Sequence, residues 1–321
     1  VPNLRRSARA LLIRITRGAR DGAPVLTGIN RRFGATARLR SSTEKTNMRD
    51  ILALATDYRS WDGGMAYAAD LAARLDGTLT GVFVQPSPLL MMPEYSSPDL
   101  LEAVIENARD VERKAHASEG AFVAWAKTVG ARRVAWQVAE GHVPEVLARL
   151  GNWHDLLVLE RNRKAPWGSP PDLGALALRT HLPCIVVPRD WRVARLDRIA
   201  LGWNGSAESL RAIHASIPLL QHATKVALLD GGQRDPDLEI GWNPRFDVDA
   251  YLRLHCVEIE RIPLDTDDEQ AGEALLDAAA DIDAELLVMG AYGRTRISEW
   301  AFGGATRKVL ADATIPLFLR H

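Results

Sequence analysis

The sequence predicts an α/β protein of two tandem, doubly wound parallel sheets with five strands in each. Three observations carry that expectation. Short apolar runs rich in β-branched residues alternate with helical patterns, which is the signature of βαβ units and a parallel sheet. The order of these elements repeats, the first strands of the two halves lying about 148 residues apart. The length, 321 residues, suits two domains rather than one. Right-handed crossovers then put helices on both faces of each sheet.

The first half opens with the strand ILALATD (51–57), followed by a helix over about 61–76 with Ala69, Ala72 and Ala73 as small packing residues. TLTGVFV (78–84) is the second strand, and a Pro-rich bend at 86–98 leads into one long helix. Its stripe of Leu101, Val104, Ala108, Val111, Ala115, Phe122 and Trp125 is spaced by threes, fours and a seven, as expected of a helix packed on a sheet. A coiled-coil seam is the other reading, weakened by Gly120. RRVAWQVA, DLLVLE (155–160) and PCIVVP (183–188) are the remaining strands, with helices near 141–150 and 172–181 between them. The second half repeats the order: IALGWN (199–204), the helix SAESLRAIHASIPLL, KVALLD (225–230), a short helix near 247–254 and CVEIERIPL. The helix DEQAGEALLDAAADI, AELLVMG (284–290), a helix to about 312 and IPLFLRH complete it.

Composition narrows the functional classes. No apolar run is long enough to span a bilayer. Cys184 and Cys256 are the only cysteines and have neither metal-ligand nor disulfide spacing, which suits a reducing cytoplasm. Residues 1–47 hold eleven Lys/Arg against two Asp/Glu, while the remainder is acidic, which argues against nucleic-acid binding. That Arg-rich leader reads as a targeting segment, a basic tail, or a disordered extension translated upstream of a true start at Met48; the last is preferred. Arginine outnumbers lysine 34 to 6, as in GC-rich coding sequence, which often reads open upstream of a gene. The expected division is 1–47, then domains at 48–190 and 195–321.

The most informative stretch is GAYGRTRISEWAFGGATRKVL (290–310). It leaves the carboxyl end of a strand, where ligands bind in open α/β sheets. Gly290 and Gly293 are free to take positive φ and admit a ligand to the backbone. Gly303 and Gly304 precede a helix whose first amides lack internal partners and whose dipole favours an anion, most often phosphate. Arg294 adds a guanidinium, and Thr295 or Thr306 a hydroxyl. The plain alternative is a tight turn against the sheet. Neither the P-loop pattern nor the dinucleotide fingerprint occurs in the chain.

LLVMGAYGRTRISEWAFGGATRKVLADATIPLFL resembles the C-terminal signature of the universal stress protein family, whose nucleotide-binding members carry G-x2-G-x9-G-[ST] between the fourth strand and the last helix. Gly290, Gly293 and Gly303 match its glycines. The resemblance covers about 48–321 as two copies. It implies the adenine nucleotide alpha hydrolase-like fold, the two halves packed as a pseudo-dimer with their final strands at or near the interface, and an adenine nucleotide, ATP with Mg²⁺, as ligand. Carried over residue by residue, the site comprises Asn204, Gly205, Ser206, Met289, Gly290, Gly293, Arg294, Gly303, Gly304, Ala305 and Thr306. Two positions depart from the pattern. Gly304 replaces the family's Ser/Thr, losing a charge-assisted bond worth roughly 1.5–3 kcal/mol. Asn204 replaces the usual first-strand Asp, which changes the bonding pattern near base and ribose. NGS at 204–206 reads equally as that contact turn or as a plain turn with a Ser206 helix cap.

The first half is expected to lack the site. Glu160 stands where Gly290 stands, and Pro170 and Pro171 occupy the region of Gly303 and Gly304, removing donors. Asp57 holds the family's acid position but does not replace a phosphate cradle. The eight histidines are scattered without metal spacing, Ser206 and Ser209 lack a nucleophile-elbow context, and the acidic run DTDDEQ (265–270) reads as helix capping. The expectation is a cytoplasmic stress-response binding protein rather than an enzyme, with any ATP hydrolysis slow, acting through nucleotide-dependent conformation on a protein partner and capable of forming a homodimer of the tandem chain. The alternatives are a nucleotide-free interaction scaffold and, disfavoured because no SGGxDS loop follows the first strand, an enzyme acting on an α-phosphate.

Overall fold

The computed structural model describes residues 48–88, 97–232, 247–266, 270–291 and 304–321. The chain divides into two compact units, 1–43 and 44–321, and the described residues all belong to the second.

The first half runs β1 (Asp50–Ala55), α1 (Gly64–Arg74), β2 (Thr78–Gln85), α2 (Pro98–Ala117), α3 (Glu119–Val129), β3 (Arg133–Glu140), α4 (Val143–Gly151), β4 (Leu156–Arg161), α5 (Pro170–Arg179) and β5 (Cys184–Pro188). The second runs β6 (Arg198–Trp203), α6 (Ala207–Leu220), β7 (Lys225–Asp230), α7 (Val248–Leu254), β8 (Glu260–Pro263), α8 (Ala271–Asp281), β9 (Leu286–Gly290), α9 (Gly304–Asp312) and β10 (Leu317–Arg320). The strands form one sheet of ten, ordered β3-β2-β1-β4-β5-β10-β9-β6-β7-β8. Pairing is parallel within each half and antiparallel only where β5 meets β10. The α/β class with parallel strands read from the sequence is the one observed, but the two expected five-stranded sheets are joined edge to edge into one.

The antiparallel seam pairs Leu317 with Val186, Phe318 with Ile185, and Leu319 with Cys184. Because Cys184 and Leu317 open their respective strands, this register is symmetric about the Ile185–Phe318 pair. Successive strand residues serve opposite faces. Ile51 and Phe318 belong to the core under α1, α3, α6 and α7, whereas Leu52 and Leu317 belong to the core under α4, α5, α8 and α9. Both cores run across the seam, so neither half has a core of its own.

The repeat extends to how each half starts. The Asp155 carboxylate accepts from the amides of Arg49 (2.8 Å) and Asp50 (3.0 Å), and Glu285 does the same for Asp197 (2.9 Å) and Arg198 (3.2 Å). Each acid precedes the fourth strand of its half and ties down the entry to the first.

One element differs from expectation. The single long helix after residue 98 is two helices meeting at Ser118. The Ser118 hydroxyl donates to the Lys114 carbonyl at 2.9 Å, a back-bond of the kind that bends helices. Only Ala115 of α2 is fully buried, so its predicted apolar stripe is half-covered, while Phe122 of α3 sits in the core.

Candidate functional site

In each half the second and fourth strands lie on opposite sides of the first, so the sheet order reverses between β1 and β4 and between β6 and β9. A crevice opens beyond the carboxyl ends of the strands at such a point. In the second half, parallel pairing of β6 with β9 (Leu201 with Val288) sets the turn at 204–206 just past the end of β6, at the same edge as the end of β9.

That turn is built from local hydrogen bonds. Asn204 Oδ1 accepts from the Ser206 amide (3.2 Å), and Gly205 has φ of 72°. Ser206 Oγ accepts from the Ser209 amide (3.2 Å) and caps α6, while Ser209 Oγ donates to the Ser206 carbonyl (2.8 Å). The plain-turn reading of NGS thus accounts for the bonds seen, and the Asn204 carbonyl oxygen is engaged in the turn itself.

Gly290 needs a reason other than the one its sequence offered. It is absent from the positive-φ glycines. A Cβ there would lie 2.5 Å from the Glu208 carbonyl carbon and from the Ser209 nitrogen. The glycine therefore lets β9 approach the first turn of α6; its need is packing rather than backbone conformation. Met289 is buried beside it.

Gly304 begins α9, is exposed, and has nothing among the described residues within 4 Å of where its Cβ would stand. Ala305 packs on Gly272 of α8, where an added Cβ would come within 3.0 Å of it, and Thr306 is buried at 5 % exposure. Thr306 thus faces the packed side of α9 rather than the open side where Gly304 stands. Gly293, Arg294 and Gly303, with Thr295, lie outside the described residues, as do 267–269 of the acidic run. Among the described residues no group of His, Cys, Asp and Glu is placed to hold a metal.

The first half shows the corresponding place narrowed by a side chain. The matching pairing of β1 with β4 and β6 with β9 makes Glu160 the counterpart of Gly290. Glu160 Oε2 accepts from the Gly64 amide at 3.0 Å and Oε1 accepts from Asn162 Nδ2 at 3.1 Å. A side-chain carboxylate thereby caps the first amide of α1. The glycine has moved across the contact: a Cβ on Gly64 would meet Glu160 Cβ at 3.0 Å. The loop from β4 to α5 has eight residues (162–169) against thirteen (291–303) in the second half, and it closes on itself through Asn162 N to Gly168 O (3.0 Å) and Ala165 N to Asn162 O (2.9 Å). Pro170 and Pro171 fill the first positions of α5, under a Ser169 cap.

A cleft of about 240 Å³ remains there, lined by Thr56, Asp57, Trp61, Glu160 and Arg189 among others. The connection between the halves borders it, with Arg192 Nη2 donating to Asp62 Oδ2 at 2.6 Å. Burial works to raise the Asp57 pKa, but hydrogen bonds from Arg59 and its charge hold the carboxyl below the ordinary range. The strand register also corrects one assignment. Thr56, not Asp57, is the counterpart of Asn204, and Asp57 lies one residue further along.

Sequence reasoning missed two arginines. Arg161 at the end of β4 donates to the carbonyls of Leu310 (2.8 Å) and Ala313, and Arg320 donates to the carbonyl of His181. Burial pulls the Arg161 pKa down, and the nearby Arg163 charge adds to this. No motif or periodicity marks either residue.

Fold and site together define a doubly wound α/β protein whose two repeats differ at the carboxyl ends of their strands. Residues 248–319 match the model of the universal stress protein family. A solved universal stress protein from Archaeoglobus fulgidus is similar, at 14 % identity and a TM-score of 0.54, over 84 % of this chain and 96 % of that one. A putative universal stress protein from Pseudomonas aeruginosa is similar at 16 % identity and a TM-score of 0.47, over 86 % of this chain and 94 % of that one. A universal stress protein in complex with cAMP matches at 16 % identity and a TM-score of 0.32, over 45 % of this chain and 99 % of that one. Identities at this level establish fold alone. Comparison with curated proteins gives no match. No helix among the described residues is long and apolar enough to cross a membrane.

Proposed function

We propose that the second half binds an adenine nucleotide, ATP with Mg²⁺, and that occupancy of the 290–306 loop alters a surface read by a protein partner. The phosphates meet the amides opening α9, helped by the helix dipole. Arg294 supplies charge, and the 204–206 turn and Met289 receive base and ribose. No residue is assigned a catalytic role, so the protein acts by binding, as a single tandem chain or its homodimer in the cytoplasm.

The observation carrying this reading is the contrast between the starts of the two equivalent last helices, α5 and α9. Pro170 and Pro171 remove amides at the start of α5, whereas Gly304 opens α9 with no described residue within 4 Å of where its Cβ would stand. The glycine spacing and the family match over 248–319 support it. A nucleotide-free scaffold is favoured by the replacement of the family hydroxyl with Gly304 and by the engagement of Asn204 Oδ1 in its own turn.

Calorimetric titration with Mg-ATP decides between them. Gly290→Asp is a poor probe, because any side chain there strikes α6. Gly304→Ser is the better one, since no described residue stands in the way and the serine restores a hydroxyl bond. Saturable binding by the parent and about tenfold tighter binding by Gly304→Ser are expected. Absence of binding by both proteins at millimolar ATP overturns the nucleotide reading and leaves the scaffold.

A further inference from the structure

The first half carries Glu160 against α1 and prolines at the start of α5, which raises the question of what it contributes. Helix α9 offers an answer, because its far end is held from the other half. Arg161 Nη1 donates to the Leu310 carbonyl at 2.8 Å, and Nη2 donates to the Ala313 carbonyl. Leu310 lies in the last turn of α9 and Ala313 directly follows it, where carbonyls lack intrahelical partners. In return, Arg320 of the second half donates to the carbonyl of His181, just beyond α5. Each half thus supplies an arginine to the end of the other's last helix.

A guanidinium at this position is suited to more than stabilisation. It complements the negative end of the helix dipole, and two bonds from one rigid fork fix direction as well as distance. The side chain is half-buried, so solvent screens it only in part. The rest of α9 is held by the Gly272–Ala305 approach near its start and by Val309 and Leu310 in the shared core. A helix of this length behaves as a rod of ~13 Å. Loosening its carboxyl end therefore re-aims the amides at its start.

We propose that Arg161 is a positioning residue: through its bonds to the end of α9, the first half sets the aim of the amides that receive phosphate in the second. The functional part of this proposal rests on the nucleotide reading above, while the structural part does not.

The test compares the full-length parent with Arg161→Gln and Arg161→Lys. Two readouts are needed: amide hydrogen exchange without ligand, and Mg-ATP titration. In Arg161→Gln, amides of 305–313 should exchange about tenfold faster while those of α4 keep the parent rate. ATP binding should weaken by about fivefold or more. Arg161→Lys keeps the charge but not the fork, and should fall between the two. A general loss of stability would instead speed exchange in both helices alike and would not be partly rescued by lysine. Parent-like exchange across 305–313, or parent-like ATP affinity in a folded Arg161→Gln, overturns the proposal. If Arg161→Gln does not fold, Arg161→Lys decides by the same two measures. If the parent binds no ATP, the nucleotide reading fails, and the exchange result alone then supports or overturns the positioning role.

Discussion

The hydroxyl of Tyr67 lies at 0 % exposure on α1 with no hydrogen-bond partner among the described residues. An orphaned buried hydroxyl costs about 1–3 kcal/mol, so its removal is expected to help rather than harm. Tyr67→Phe should raise stability by about 1 kcal/mol, measured as a higher urea midpoint at unchanged slope. The pKa gives the same substitution a second signature. Burial pushes the phenol pKa up, and the charges of Asp70 and Glu285 push it further. A raised folded value means that the unfolded chain ionises first. Stability from this group is therefore complete below pH about 10 and declines as pH rises from there toward the folded pKa. Tyr67→Phe should flatten that alkaline decline, and an unchanged slope above pH 10 would show that Tyr67 is not its source. Gly290 teaches a related lesson. The sequence marked it as special, yet the reason was visible only once Glu208 and Ser209 were placed 2.5 Å from its missing Cβ.

Helix α1 starts differently from the other first-connection helix, α6, although the two occupy equivalent places. Ser206 caps α6 from its own chain position, a local device legible as NGS followed by a helical pattern. At α1 the cap residue is Gly63, whose lack of a side chain leaves the Gly64 amide to Glu160, 96 residues away. Glu160→Ala should therefore cost about 1 kcal/mol, as cap losses do, read as a lower melting temperature. It should not create a second nucleotide site, because Pro170 and Pro171 still deny amides at the start of α5. A two-site ATP titration for Glu160→Ala would show that the carboxylate alone had closed the first half. This explains how far the sequence reached. The elements were legible because period and turn chemistry are local: every strand and helix named from pattern is present, apart from the break at Ser118. Contacts between distant positions carry no local signal, which is why the Gly64–Glu160 bond and the arginine caps went unread. Glu160 itself was recognisable as an obstruction only because the repeat aligned it with Gly290.

At the scale of the molecule, the decisive feature is that a single seam joins two repeats. The sheet crosses it through three residue pairs, and both cores continue over it. Each half depends on the other for part of its apolar burial, so the two should unfold together although their topologies are complete. Phe318, at 0 % exposure and opposite Ile185, sits at the centre of the seam. Truncating such a residue costs about 3–5 kcal/mol. Here the loss falls on the contact between halves rather than inside one of them. Phe318→Ala should therefore split one cooperative urea transition into two, in addition to lowering its midpoint. The tryptophans allow the two to be told apart, since six of the nine precede residue 192 and weight fluorescence toward the first half. Circular dichroism follows helices in both. In the parent the two signals should coincide, and in Phe318→Ala they should separate. Coincident signals at a lower midpoint would mean that linkage through residues 189–197 and the arginine caps is enough to keep the halves cooperative, making the seam a matter of stability rather than of coupling.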